Sequence, residues 1–167
     1  MGAQIHTAEQ AREFVSWCKF APQGTRGLNA GGYDANFTHK PPVQFVEDAN
    51  NDHLVAIQIE TAGSVDEVDE IAAIEGVDLL FVGPADLSLS LGIVGQFHHD
   101  KLWEAIGKVQ QACQKNGITW GAVTPDPEWA QRAIENGCRL PTMGNEVHGL
   151  RKGIGEFKSS FAASFGG

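Results

Sequence analysis

Glu60 and Asp86 are the residues whose type and placement promise chemistry. Each carboxylate closes an apolar run. Leu54-Val55-Ala56-Ile57 turns polar at Gln58 and stops at Glu60-Thr61, while Leu79-Leu80-Phe81-Val82 stops at Gly83-Pro84-Ala85-Asp86. Apolar runs without polar alternation predict strands of a parallel sheet buried on both faces. Parallel neighbours lie ~4.8 Å apart, so carboxylates at the C-terminal ends of two adjacent strands can reach the same ion.

The elements that must position this pair follow from local signals. Between the two runs, Ser64 with Glu67 reads as a capping box, and Val65, Val68, Ile71 and Ala72 then share one face of a single helix. The result is a βαβ unit. Upstream, Met1 to Ile5 can be the tail of a strand, and Thr7 with Gln10 opens a helix carrying Ala11, Phe14, Val15 and Cys18 that ends before Pro22. Residues 23–42 are glycine-rich without a GxGxxG pattern and predict a tight, packed loop, with a phosphate-cradling loop as the alternative, followed by a short helix over Phe45 to Asn50. Downstream of Gly92, Asp100 is placed to cap a helix through Leu102, Ile106, Val109 and Cys113 that stops at Asn116-Gly117. Ile118 to Val123 is the next strand. Asp126 as N-cap and Pro127 at the first helical position start a helix with Trp129, Ala133 and Ile134 facing inward and Asn136-Gly137 at its end. Arg139 to Met143 is a last short strand, Asn145 begins a helix through Val147, Leu150, Ile154 and Phe157, and Phe161 to Gly167 reads as a terminal extension. A helix followed by four strand–helix repeats is an α/β pattern that fits an open doubly wound sheet or part of a (β/α)8 barrel.

Composition narrows the classes of function. A chain of 167 residues with 42% apolar content suits one domain over residues 1–167, and its net charge of -9 comes without any basic block. That balance leaves no electrostatic footprint for nucleic acid or an anionic membrane, and no apolar run is long enough to cross a bilayer. The N-terminus lacks a signal-peptide pattern, so a cytoplasmic location is expected. Cys18, Cys113 and Cys138 form no CxxC and are expected to be reduced. His98-His99 reads as a solvated loop, and His6, His39, His53 and His148 as surface or packing residues. GxSxG, P-loop and HExxH patterns are all missing, and no glycine-rich phosphate turn follows a strand.

Gln58-Ile59-Glu60-Thr61, Glu75-Gly76-Val77-Asp78 and Phe81-Val82-Gly83-Pro84-Ala85-Asp86-Leu87-Ser88 together resemble the HpcH/HpaI aldolases, class II pyruvate-dependent enzymes of the phosphoenolpyruvate/pyruvate barrel superfamily. The resemblance runs from about Thr7 to the last helix. It implies a (β/α)8 TIM barrel of which this chain supplies about half, four parallel βα units preceded by a helix. It also implies a divalent metal held by Glu60 and Asp86, with Gln58 near the bound keto acid and backbone amides around Gly83, Pro84, Ala85 and Asp86 holding the pyruvate carboxylate. Two hard carboxylates suit Mg²⁺ or Mn²⁺, with Co²⁺ a further candidate. The reaction so implied makes or breaks a carbon–carbon bond between pyruvate and an aldehyde through a metal-stabilised enolate.

Family members also carry a base histidine and a keto-binding arginine on earlier strands that have no counterpart here. Neither His53 nor Arg26 is assigned to those roles, and the expectation is the C-terminal half of an aldolase. The alternative is a catalytically incomplete half-barrel that binds metal and keto acid or acts only as an assembly fragment. Half a barrel has open edges and an exposed interior, which predicts a homo-oligomer.

Overall fold

The computed structural model describes residues 1–165. Four strands, β1 (Ala56–Ile59), β2 (Leu79–Val82), β3 (Thr119–Val123) and β4 (Cys138–Thr142), form one parallel sheet in the order β1-β2-β3-β4. Around them run α1 (Ala8–Cys18), α2 (Pro42–Asp52), α3 (Ala62–Asp66), α4 (Val68–Ala72), α5 (Pro84–Ser90), α6 (Asp100–Asn116), α7 (Pro127–Glu135) and α8 (Glu146–Phe165). Strand order decides between the two α/β architectures. Right-handed crossovers in strictly sequential order carry every connecting helix to the same face, whereas a doubly wound sheet must reverse direction. This sheet is an arc of a (β/α)8 barrel.

Register assigns the two faces. Ile57, Ile59, Leu80, Val82, Trp120 and Ala122 point to the helices and join α1, α4, α6 and α7 residues in the main core. Ala56, Leu79 and Phe81 form a separate buried cluster on the barrel-interior face. Gly121 sits opposite Phe81, and a Cβ there would lie 2.9 Å from the Phe81 ring and 2.8 Å from the Leu140 carbonyl oxygen. The glycine therefore makes room for the ring. Further along that face Val123 and Leu140 are 42% and 48% exposed, as expected where the opposite wall of a barrel would stand.

The segment before α1 behaves as a strand tail. Gly2 bridges Ile57 in parallel, its N–H donating to Ala56 O at 2.8 Å while Gln58 N donates to Gly2 O at 2.8 Å.

Several local expectations hold for local reasons. Thr7 caps α1 by accepting from Gln10 N, Asp126 caps α7 by accepting from Trp129 N at 2.8 Å, and α6 ends at Gly117 in the left-handed region. Others are corrected. The single helix expected from Ser64 is two short helices broken at Glu67, and the capping box joins Thr61 to Ser64 instead. The Glu67 carboxylate accepts from Ala8 N at 2.6 Å, a tertiary contact that takes it away from its own helix. Gln10 reaches back to His6 N rather than to Thr7. His99, not Asp100, caps α6, its Nδ1 accepting from Lys101 N. Ile134 is 49% exposed rather than inward-facing, and α8 continues through Phe165 in place of an extension from Phe161, residues 166–167 lying outside the described range. All three cysteines are free, and burial pushes the Cys113 thiol up to about 12. Among the described residues no helix is long and apolar enough to cross a membrane.

Candidate functional site at the C-terminal ends of the strands

β1 ends at Ile59, and the next residue, Glu60, is only 2% exposed. Its carboxylate is held from both sides. Oε1 accepts from Gln4 N at 2.7 Å and from Gln4 Nε2 at 3.2 Å, and Oε2 accepts a short hydrogen bond from Gln58 Nε2. Gln58 lies two residues before Glu60 on the same face of the strand, so the strand period itself brings the pair together.

β2 delivers the second wall. Gly83, which follows its last residue, is buried and packs directly against this cluster: a Cβ there would meet Glu60 Oε2 at 2.6 Å and Gln58 Nε2 at 2.8 Å. Only glycine lets the carboxylate and the amide pack this close to β2. The chain then turns into α5, with Pro84 at the first helical position and Asp86 exposed in the first turn. The end of the strand at Gly83 was expected; the seven-residue helix that follows it was not. A helix start leaves its first N–H groups without intrahelical partners; Pro84 has none to offer, so the open donors are those of Ala85 and Asp86. Ser88 fixes α5 from below, its hydroxyl donating to Ala85 O and accepting from Gly95 N. Ser90 Oγ accepts from Ala62 N, tying α5 to the helix that starts after Glu60.

Gln58, Glu60 and Gly83 are thus in mutual contact, with Pro84, Ala85 and Asp86 leading directly away from them. Among the described residues no group of three or more His, Cys, Asp or Glu side chains is placed to hold a metal ion. Glu60 is buried in this cluster, whereas Asp86 is exposed in the first turn of α5. Gln4 joins the cluster without having been expected there. Its one sequence signal would have been its place at the end of a strand tail, aligned with the ends of β1 and β2.

His53 and Arg26 lie elsewhere. His53 caps the C-terminal end of α2 before β1 begins, at the opposite end of the strand from Glu60, and Arg26 Nη1 contacts His53 Nδ1 at 3.2 Å. Arg26 also bonds Asp34 at 2.5 Å, which holds the Asp34 carboxyl below its usual value. This cluster anchors the glycine-rich loop. On the same end of the sheet as Glu60, His98 Nε2 pairs with Asp126 Oδ2 at 2.8 Å; the Trp129 N–H first and His98 second hold the Asp126 carboxyl low.

An arc of parallel strands wound in sequence defines a TIM-barrel-type protein, and the Gln58, Glu60 and Gly83 cluster lies at the C-terminal ends of its strands, the face on which such barrels carry their active sites. The profile of the HpcH/HpaI aldolase/citrate lyase family matches residues 3–152, and the chain belongs to that family. A hydroxypyruvate/pyruvate aldolase of Delftia acidovorans is 36% identical over 152 residues, which cover 91% of this chain and 56% of the relative. A 4-hydroxy-2-oxovalerate aldolase of Novosphingobium aromaticivorans is 33% identical over 162 residues, 93% of this chain and 58% of the relative. The crystal structure of an HpcH/HpaI aldolase from Desulfitobacterium hafniense DCB-2 matches with a TM-score of 0.84 at 30% identity, over 95% of this chain and 61% of that one. The chain therefore spans less than two thirds of the length of the relatives it matches.

Proposed function

We propose that this chain carries the metal- and keto-acid-binding half of a class II pyruvate aldolase, a carbon–carbon lyase that cleaves or forms 4-hydroxy-2-oxo acids from pyruvate and an aldehyde. The observation that carries this reading is the buried Glu60 carboxylate, oriented by the Gln4 and Gln58 amides and packed directly against Gly83 at the start of α5. An anion buried without a counter-charge is costly, and among the described residues no Lys, Arg or His pairs with Glu60. Its surroundings fit a cation. Glu60 and Asp86 would hold it, and hard oxygen donors favour Mg²⁺ or Mn²⁺, with Co²⁺ also compatible. When bound, such an ion supplies positive charge that stabilises an enolate formed by loss of a C3 proton or of the aldehyde.

The chain's own groups supply the rest of the binding. The Ala85 and Asp86 N–H groups offer donors to a substrate carboxylate at the start of α5. Gln58 holds Glu60 and lies beside the keto acid. Asp86→Asn keeps the fold, because Asp86 is exposed, yet it removes one of two anionic ligands. Mn²⁺ affinity measured by electron paramagnetic resonance is expected to fall about 100-fold; an unchanged affinity removes Asp86 from the site.

A second reading, a catalytically incomplete half-barrel that binds these ligands or serves as an assembly fragment, has its own support. Leu140 on the interior face and Val147, Leu150, Ile154 and Phe157 along α8 are 48–69% exposed, a large apolar area for a monomer to leave in water. Self-association would cover it. Light scattering coupled to size exclusion is expected to give at least a dimer, and a well-ordered monomer at micromolar concentration would sink this part of the account.

A further inference from the structure

Gln4 is one of the few non-glycine residues of this chain with a positive φ, +54°. For an unbranched residue outside a turn this conformation is unfavourable. It is held from both sides: Gly2 is bridged to β1, and the Ile5 carbonyl oxygen accepts from Thr61 Oγ1 at 3.0 Å. The consequence is local. The twisted backbone aims the Gln4 N–H at Glu60 Oε1, and the side chain folds over so that Nε2 reaches the same oxygen.

A carboxylate oxygen has two lone-pair directions. Oε1 accepts two N–H groups from Gln4, whereas Oε2 accepts one, from Gln58, and packs against Gly83, so that one lone-pair direction of Oε2 is unused by these amides. We infer that Gln4 is a positioning residue: by occupying Oε1 it leaves Oε2 as the oxygen of Glu60 open to a divalent cation. This rests on the reading of Glu60 as a metal ligand. Groups that orient a ligand from behind typically change metal affinity 10–100-fold when removed.

The test uses Mn²⁺ as probe, with binding read by electron paramagnetic resonance and stability by thermal unfolding. Gln4→Gly suits the positive φ and removes only the side-chain donor, so the melting temperature is expected to hold or rise while Mn²⁺ binds about tenfold more weakly. Gln4→Met, similar in length and without a donor, is expected to lose the same affinity. Gln4→Asn, which restores an amide on a residue tolerant of positive φ, is expected to recover part of it. A purely structural role would move stability and affinity together in all three variants, and that result overturns the assignment. Glu60→Gln separates the two claims. If it abolishes Mn²⁺ binding while both Gln4→Gly and Gln4→Met bind like the wild type, the Gln4 role is overturned alone; if Glu60→Gln binds like the wild type, the metal site and the Gln4 role are overturned together.

Discussion

Gly83→Ala is expected to cost the site about two orders of magnitude in Mn²⁺ affinity while leaving the chain folded, because displacing a ligand by about 1 Å is enough for such a loss. The backbone raises no objection: φ at Gly83 is -101°, an ordinary value for alanine. The objection comes from the side chains. The added methyl would sit 2.6 Å from Glu60 Oε2, 2.8 Å from Gln58 Nε2 and 3.1 Å from Glu60 Cβ, so the group it strikes is the proposed ligand itself. Glu60 cannot swing away freely, since Gln4 holds its other oxygen. Overpacking of this kind costs about 1–3 kcal/mol of stability. Gly107→Ala in α6 is the control, as a Cβ there meets nothing within 4 Å, and it should stabilise by up to ~1 kcal/mol. Mn²⁺ titration by electron paramagnetic resonance checks the pair. Wild-type affinity in Gly83→Ala would remove Glu60 Oε2 as the proposed ligand atom.

Trp129→Ala is expected to be the most destabilising simple truncation, at about 4 kcal/mol. Trp129 is fully buried, packs against Trp103 with ring centroids 4.9 Å apart and planes tilted by 45°, and donates from Nε1 to Phe97 O at 3.1 Å. Truncation opens a cavity between α6 and α7 and leaves a carbonyl without its donor. Since domains of this size are stable by only about 5–15 kcal/mol, the loss takes a large share of the total. The damage also reaches towards the site. Phe97 belongs to the loop that Gly95 fastens to Ser88 of α5, so the start of α5 should loosen as well. Urea unfolding with an unchanged slope and a lowered midpoint is the expected result. A midpoint shift no larger than that of Ile134→Ala, a neighbouring half-exposed position, would contradict it.

How far the sequence could be read follows from where each residue finds its partner. Asp126, Gly117 and Pro127 act on groups within their own turn, so their roles were legible from spacing. The strands were legible because β2 is buried on both faces and its four residues are all apolar. Glu67 misled for the opposite reason: its partner, Ala8, is 59 residues away, and satisfying that N–H broke the expected helix into α3 and α4. Glu60 and the Gly83-to-Asp86 turn stood out because a strand end and a helix start are local features. Gln4 did not. It is 56 residues from Glu60, and half of what it contributes comes from its backbone N–H, which no side-chain pattern advertises.

Gln58, Glu60 and Gly83 come from one contiguous βαβ unit, so their meeting follows from the strand period and the β1–β2 register. His53 and Arg26 are held at the far end of β1, away from that cluster.

The most direct test follows exchange of the pyruvate methyl protons with deuterated water by NMR, using this chain with Mg²⁺ or Mn²⁺, with chelator, and as Glu60→Gln. Enolate formation is read without needing the aldehyde. Any exchange is expected to require both the metal and Glu60, the base being supplied from outside the Glu60 cluster. Exchange that persists with chelator or in Glu60→Gln would contradict a metal site at Glu60 and Asp86.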